Sequence, residues 1–118
     1  MTSYVSQMQA AWLALRTWGR PAFPRLRVCF AMLAGLAPLQ AERLAARGGD
    51  AALRDPHTFY DTSSYGPAAI GAMAAVVGAD ALVHGSDRPV VVPGPLAGAD
   101  IPARARNAAR LLAKEALA

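Results

Sequence analysis

A chain of 118 residues with 12 basic and 8 acidic side chains, formally +4, has room for one domain, residues 1–118, and no more. Its hydrophobic share of 54% is carried largely by alanine and only 7% of it is aromatic, so any core is broad in count and thin in volume. The arginines are scattered along helical stretches instead of forming a basic stripe with interleaved aromatics, which excludes a nucleic-acid footprint from the expected partners.

Val5, Met8, Trp12 and Leu15 recur at spacings of three and four and predict an amphipathic helix from about Ser3 to Trp18, ended by Gly19 and Pro21. Leu26 to Ala31 is an apolar run of strand length, with Cys29 inside it as a small buried hydrophobe. A single cysteine rules out an intramolecular disulfide and a cysteine metal cluster. The loop Met32 to Leu36 leads to Pro38 in the first turn of a second helix, whose apolar face uses Leu39 and Leu44 and which stops at Gly48-Gly49. Thr58 to Thr62 is a second strand, followed by Ser63 and Ser64 as caps for a helix near Pro67 with an inner stripe of Ile70, Met73 and Val77 up to Gly78. Ala81 to His84 is a third strand; a long Pro/Gly loop from Arg88 to Pro102 and a last helix ending at Leu112 complete the chain.

Three successive strand, loop and helix units predict an α/β fold with parallel strands and right-handed crossovers. The longest apolar run, Ala68 to Ala79, falls short of the ~20 residues that span a bilayer, and no basic segment precedes an apolar stretch at the N-terminus. The expected location is therefore cytoplasmic, without a membrane partner.

In parallel α/β folds reactive groups gather where loops leave the C-terminal ends of strands. Three loops qualify: Met32 to Gly35, Ser63 to Gly66 and Gly85 to Pro89. In the last, Asp87 follows an apolar strand, where an unpaired buried carboxylate is costly. As bare chemistry it stands open between a metal ligand or general base and a helix cap, a turn former or an ion-pair partner of Arg88. Ser63, Ser64 and Tyr65 reach the same end, either to bind substrate or to cap a helix and pack over the sheet rim. His84 alternates to the helix side of its strand and reads as a packed residue, while His57 reads as a solvated loop residue. No Walker loop, GxGxxG, CxxC or Ser-His-Asp order is present.

The run Leu82-Val83-His84-Gly85-Ser86-Asp87-Arg88-Pro89 resembles the eighth-strand signature of the amidohydrolase-related family that includes aminocarboxymuconate-semialdehyde decarboxylase, in which the Asp of a Gly-Ser/Thr-Asp-x-Pro box holds a divalent metal. Arg27 to Ala31 with Leu33-Ala34-Gly35 resembles the sixth strand and its Gly-rich loop, Phe59-Tyr60-Asp61 the seventh strand, and Asn107 to Leu112 the terminal helix. The resemblance spans nearly the whole chain. It implies three parallel βα units equivalent to the C-terminal portion of a (β/α)8 TIM barrel. It also implies metal-dependent hydrolysis or nonoxidative decarboxylation of a small carboxylated or cyclic substrate, with Zn²⁺ as the expected metal, Asp87 as catalytic residue and metal ligand, and Ser64, Tyr65 and Arg88 lining the substrate pocket. Three departures stand out. Met32 occupies the position of a ligand His, Tyr65 the place of another, and no His-x-His pair of a first strand is present, whereas catalytic Zn²⁺ takes three protein donors and a water. The alternative expectation is a noncatalytic truncated remnant. Two open sheet edges would make it self-associate as a homo-oligomer or pair with a complementing barrel fragment. An in-frame His-x-His strand encoded upstream of the Met1 codon would favour the enzyme, and a stop codon there the remnant.

Overall fold

Three short runs rich in aromatic and β-branched residues, Val28–Phe30, Thr58–Asp61 and Leu82–Val83, form β1, β2 and β3. In the computed structural model, which describes residues 2–49, 53–86, 88–89 and 100–112, they pair in parallel in the order β1-β2-β3. Cys29 stands beside Phe59 and Phe30 beside Tyr60, while Tyr60 and Asp61 stand beside Leu82 and Val83. Because side chains alternate along a strand, this register divides the sheet into two faces. Val28, Phe30, Thr58, Tyr60 and Leu82 share one, and Cys29, Phe59, Asp61 and Val83 share the other.

The main core lies on the Tyr60 face. Helix α1 (Thr2–Ala14) contributes Trp12, the segment Ala31–Gln40 contributes Leu33, Ala34 and Ala37, and helix α4 (Pro67–Val77) contributes Met73 and Val77. These side chains meet Phe30, Tyr60 and Leu82 in one cluster, in which each large aliphatic or aromatic group removed from water contributes about 1.5–3 kcal/mol. The indole Nε1–H of Trp12 donates to the Tyr60 hydroxyl at 3.0 Å, so the polar tips of two core aromatics satisfy each other. Between these elements come a short α2 (Arg20–Ala22) and α3 (Ala41–Ala46).

Helix α5 (Asp100–Leu112) sits on the opposite face. The Arg110 guanidinium lies 5.3 Å from the centre of the Phe59 ring, and Arg27 donates to the Arg110 carbonyl at 3.0 Å. The Asn107 amide, buried, donates to the carbonyls of Ala79 and Leu82 at 2.9 and 2.7 Å and fixes the helix to the start of β3. The main core thus covers one face of the sheet, and α5 covers Phe59 on the other. No helix among the described residues is long and apolar enough to cross a membrane.

Several elements depart from the sequence expectation. Helix α1 does not stop at Gly19 and Pro21: it continues through a π-helical turn, Leu15–Gly19, directly into α2. A proline ring has no N–H to give and crowds the carbonyl four residues back, and the wider turn just before Pro21 accommodates both facts. The loop after β1 is a left-handed turn, with Met32 to Leu36 all at φ between 49° and 62°. Gly78, at φ 92°, ends α4 as expected, but the helix begins on Gly66 with no side-chain cap, so Ser63 and Ser64 are not caps. Strand β3 ends at Val83, which leaves His84 exposed instead of packed. Cys29 is also exposed, because it lies on the edge strand β1 and on the face away from the main core. Pro102 belongs to α5, not to the preceding loop, whose residues 90–99 lie outside those described.

Candidate functional site at the C-terminal ends of the strands

The strands end where β2 delivers Asp61 and β3 runs into Gly85. Asp61 Oδ1 accepts the Ser63 backbone N–H at 2.7 Å and the Ser63 hydroxyl at 2.6 Å, an aspartate-led turn that redirects the chain out of the sheet. The Tyr65 N–H closes the same turn on the Thr62 carbonyl at 3.2 Å. Gly85 presses against the Asp61 carboxylate and the Ser63 hydroxyl with no space for a β-carbon, so the ends of β2 and β3 lock together there.

Ser64 is exposed and held at φ 66°, a left-handed backbone that costs a non-glycine residue about 1–2 kcal/mol and that the Asp61 turn imposes. Tyr65 is half-buried with its ring packed against the Tyr60-face core, as the sheet-rim alternative anticipated. Arg88 is exposed, and its backbone N–H donates to the Ser86 hydroxyl at 3.3 Å. Asp87, the catalytic and metal-ligand expectation, lies outside the described residues. Among the described residues, this end brings together Asp61, Ser63 and Gly85.

Asp61 was not singled out in the sequence as a site residue. The available signal was an aspartate at the end of a strand with a serine two positions on, the pattern of a side chain that caps its own turn. Cys29 faces the same side. Although Cys29 is exposed at the sheet edge, partial burial pushes its thiol up from the ordinary value and the negative charge of Asp61 adds to that, so at neutral pH it stays a protonated thiol and a poor nucleophile.

Zinc chemistry needs three protein donors around an open position. Among the described residues no group of three or more His, Cys, Asp or Glu could hold a metal ion, Asp61 spends one oxygen on Ser63, and Met32 supplies a thioether in place of an imidazole. The described residues do not fit a resident zinc ion by themselves. No protein-family model matches the chain, and no curated protein matches it.

Proposed function

We propose that this chain is a three-unit segment of an amidohydrolase-like (β/α)8 barrel, whose catalytic work, metal-dependent hydrolysis or nonoxidative decarboxylation of a small carboxylated or cyclic substrate, belongs to the completed barrel. The observation that carries the proposal is the sheet itself. Its parallel strands run in sequential order, as barrel strands do, and the helices and turns around the first two crossovers pack on the Tyr60 face. The Phe59 face would then turn inward on closure, once α5, which lies over it here, is displaced, and the loop bearing Gly85, Ser86 and Arg88 leaves the end of the sheet where barrel enzymes keep their chemistry. Asp87 in that loop is the proposed ligand and catalytic residue, and Ser64 and Arg88 are the proposed rim contacts.

The test is complementation. The chain is mixed with a fragment supplying the first five βα units of a related barrel, including a His-x-His strand, and is assayed with Zn²⁺. The chain alone is expected to be inactive, the complex active, and Asp87→Asn inactive within a complex that still forms. An active Asp87→Asn complex, or a stable complex without turnover, overturns the proposal.

A second reading, that the chain acts by association alone, draws on a separate observation. Trp18, Phe23 and Leu26, between α1 and β1, are 72%, 62% and 51% exposed. Three large exposed apolar groups within nine residues of chain leading into an edge strand fit a partner surface, either a second copy or a preceding barrel segment. A complex that forms without activity favours this reading.

A further inference from the structure

The two outer edges of the sheet are not equivalent. In a parallel ladder the N–H and C=O of one residue point to the strand on one side, and those of the next residue point to the other side. At the β3 edge the Thr62 N–H takes the Val83 carbonyl at 3.0 Å, which leaves Leu82 facing out, and the Asn107 amide of α5 caps the Leu82 carbonyl at 2.7 Å. At the β1 edge the Val28 N–H donates to the His57 carbonyl at 2.9 Å, which in this register turns Val28 and Phe30 toward β2. Cys29 between them presents its N–H and C=O outward, and neither meets a hydrogen-bond partner among the described residues.

Edges that stay solitary are guarded by a lysine, a proline or an inward charge, and β1 carries none of these: its residues are Val28, exposed Cys29 and Phe30. Just before it stand Phe23 and Leu26, 62% and 51% exposed, whose carbonyls one terminal nitrogen of Arg20 holds together at 3.0 and 2.7 Å. One outward donor and one outward acceptor on the same residue make the edge complementary to itself. A copy rotated about a two-fold axis through Cys29, perpendicular to the sheet, brings an antiparallel strand whose own Cys29 offers the matching acceptor and donor.

We infer that two copies of this chain pair edge to edge through β1, antiparallel, with the two Cys29 residues exchanging both backbone hydrogen bonds. The two sheets then form one, in the order β3-β2-β1-β1-β2-β3. Such a dimer rests on the association reading of the chain and fixes the surface which that reading leaves open. A second copy suits the edge better than a preceding barrel strand, whose parallel course would leave the self-matching of Cys29 unused. The contact is small: strands of three residues flanked by Phe23 and Leu26 bury less than the ~1,200 Å² at which stable complexes begin, so the dimer is weak and comes apart on dilution. Directly opposed residues of antiparallel strands hold their β-carbons about 4.5–5.5 Å apart, which brings the two Cys29 thiols together on the Phe59 face.

Hydrogen exchange and cross-linking of the full chain, each run beside sedimentation over a range of concentrations, test it. The Cys29 amide should exchange about tenfold more slowly at the concentrated end than at the dilute end, while the Val28 and Phe30 amides, already bonded to β2, change little. A short-spacer bis-maleimide, applied at mildly alkaline pH because the thiol is held up, should yield a covalent dimer at high concentration and lose that yield on dilution. With one cysteine in each chain, the link joins Cys29 to Cys29 and nothing else. A monomer at every concentration overturns both the edge pairing and the association reading. A dimer in which the Cys29 amide stays unprotected, or in which the thiols do not cross-link, puts the contact on another surface and overturns the edge pairing alone.

Discussion

Asp55 shows how one residue organises the start of β2. Burial alone would raise its carboxyl, but the Thr58 hydroxyl at 2.6 Å, the His57 N–H at 2.9 Å and the Arg20 guanidinium outweigh it and hold the group below the usual carboxylate range. A lowered folded-state value means that the stabilisation is fully present above the unfolded value near 3.8 and is lost as pH falls through the folded value. Asp55→Asn is therefore expected to cost about 1–2 kcal/mol at pH 7 in urea unfolding, and the gap to the parent should close as pH drops below about 4. A gap that persists at pH 2 would place the effect in packing. Gly85 makes the corresponding case at the C-terminal ends: Gly85→Ala drives a methyl into the Asp61 and Ser63 pair and should cost about 1–3 kcal/mol. Gly71→Ala is the control, because nothing lies near its β-carbon position in α4, and it should stabilise by about 0.5–1 kcal/mol. Of the site, the three loops were legible from strand ends and turn residues. The Asp61 to Ser63 to Gly85 junction was not, because it depends on how β2 and β3 abut, which no local pattern encodes.

At the scale of elements, the helices and strands that depend on their own periodicity could be anticipated, as α4 shows with Met73 and Val77 buried and Ile70 half-buried. What depends on a neighbour could not. The left-handed turn from Met32 to Leu36 contains a single glycine, and its other residues gain nothing locally from that backbone. They are held by α1, where Gln9 donates to the Gly35 carbonyl at 2.8 Å and a β-carbon on Gly35 would come within 2.9 Å of the Val5 carbonyl. Gly35→Ala is expected to destabilise by about 2–3 kcal/mol, from both the positive φ and the collision. Ala34→Gly, one position earlier at φ 55°, exchanges a buried methyl worth about 0.8 kcal/mol for relief of about 1–2 kcal/mol of backbone strain. It should be neutral or slightly stabilising by denaturant midpoint, the reverse of the usual effect of glycine in a helix. Proline, the strongest sequence signal for a helix end, misled at Pro21 because a single wider turn absorbs it.

For the whole molecule, the two sheet edges and the exposed Trp18 and Phe23 lead to a prediction about mass: sedimentation at tens of micromolar should show self-association, and Trp18→Ser with Phe23→Ser should shift the population toward monomer. A monodisperse monomer before substitution would mean that the chain covers its own apolar surface. The placement of α5 also bears on rates. A barrel partner needs the Phe59 face, and α5 already holds it through Arg110, Arg27 and Asn107. Assembly with such a partner must then wait for that helix to lift. The observed rate should climb with partner concentration and level off at the opening rate of α5, and replacing Asn107 with alanine should raise the plateau. The helix would act as a clock on complementation, setting its pace without contributing to its chemistry.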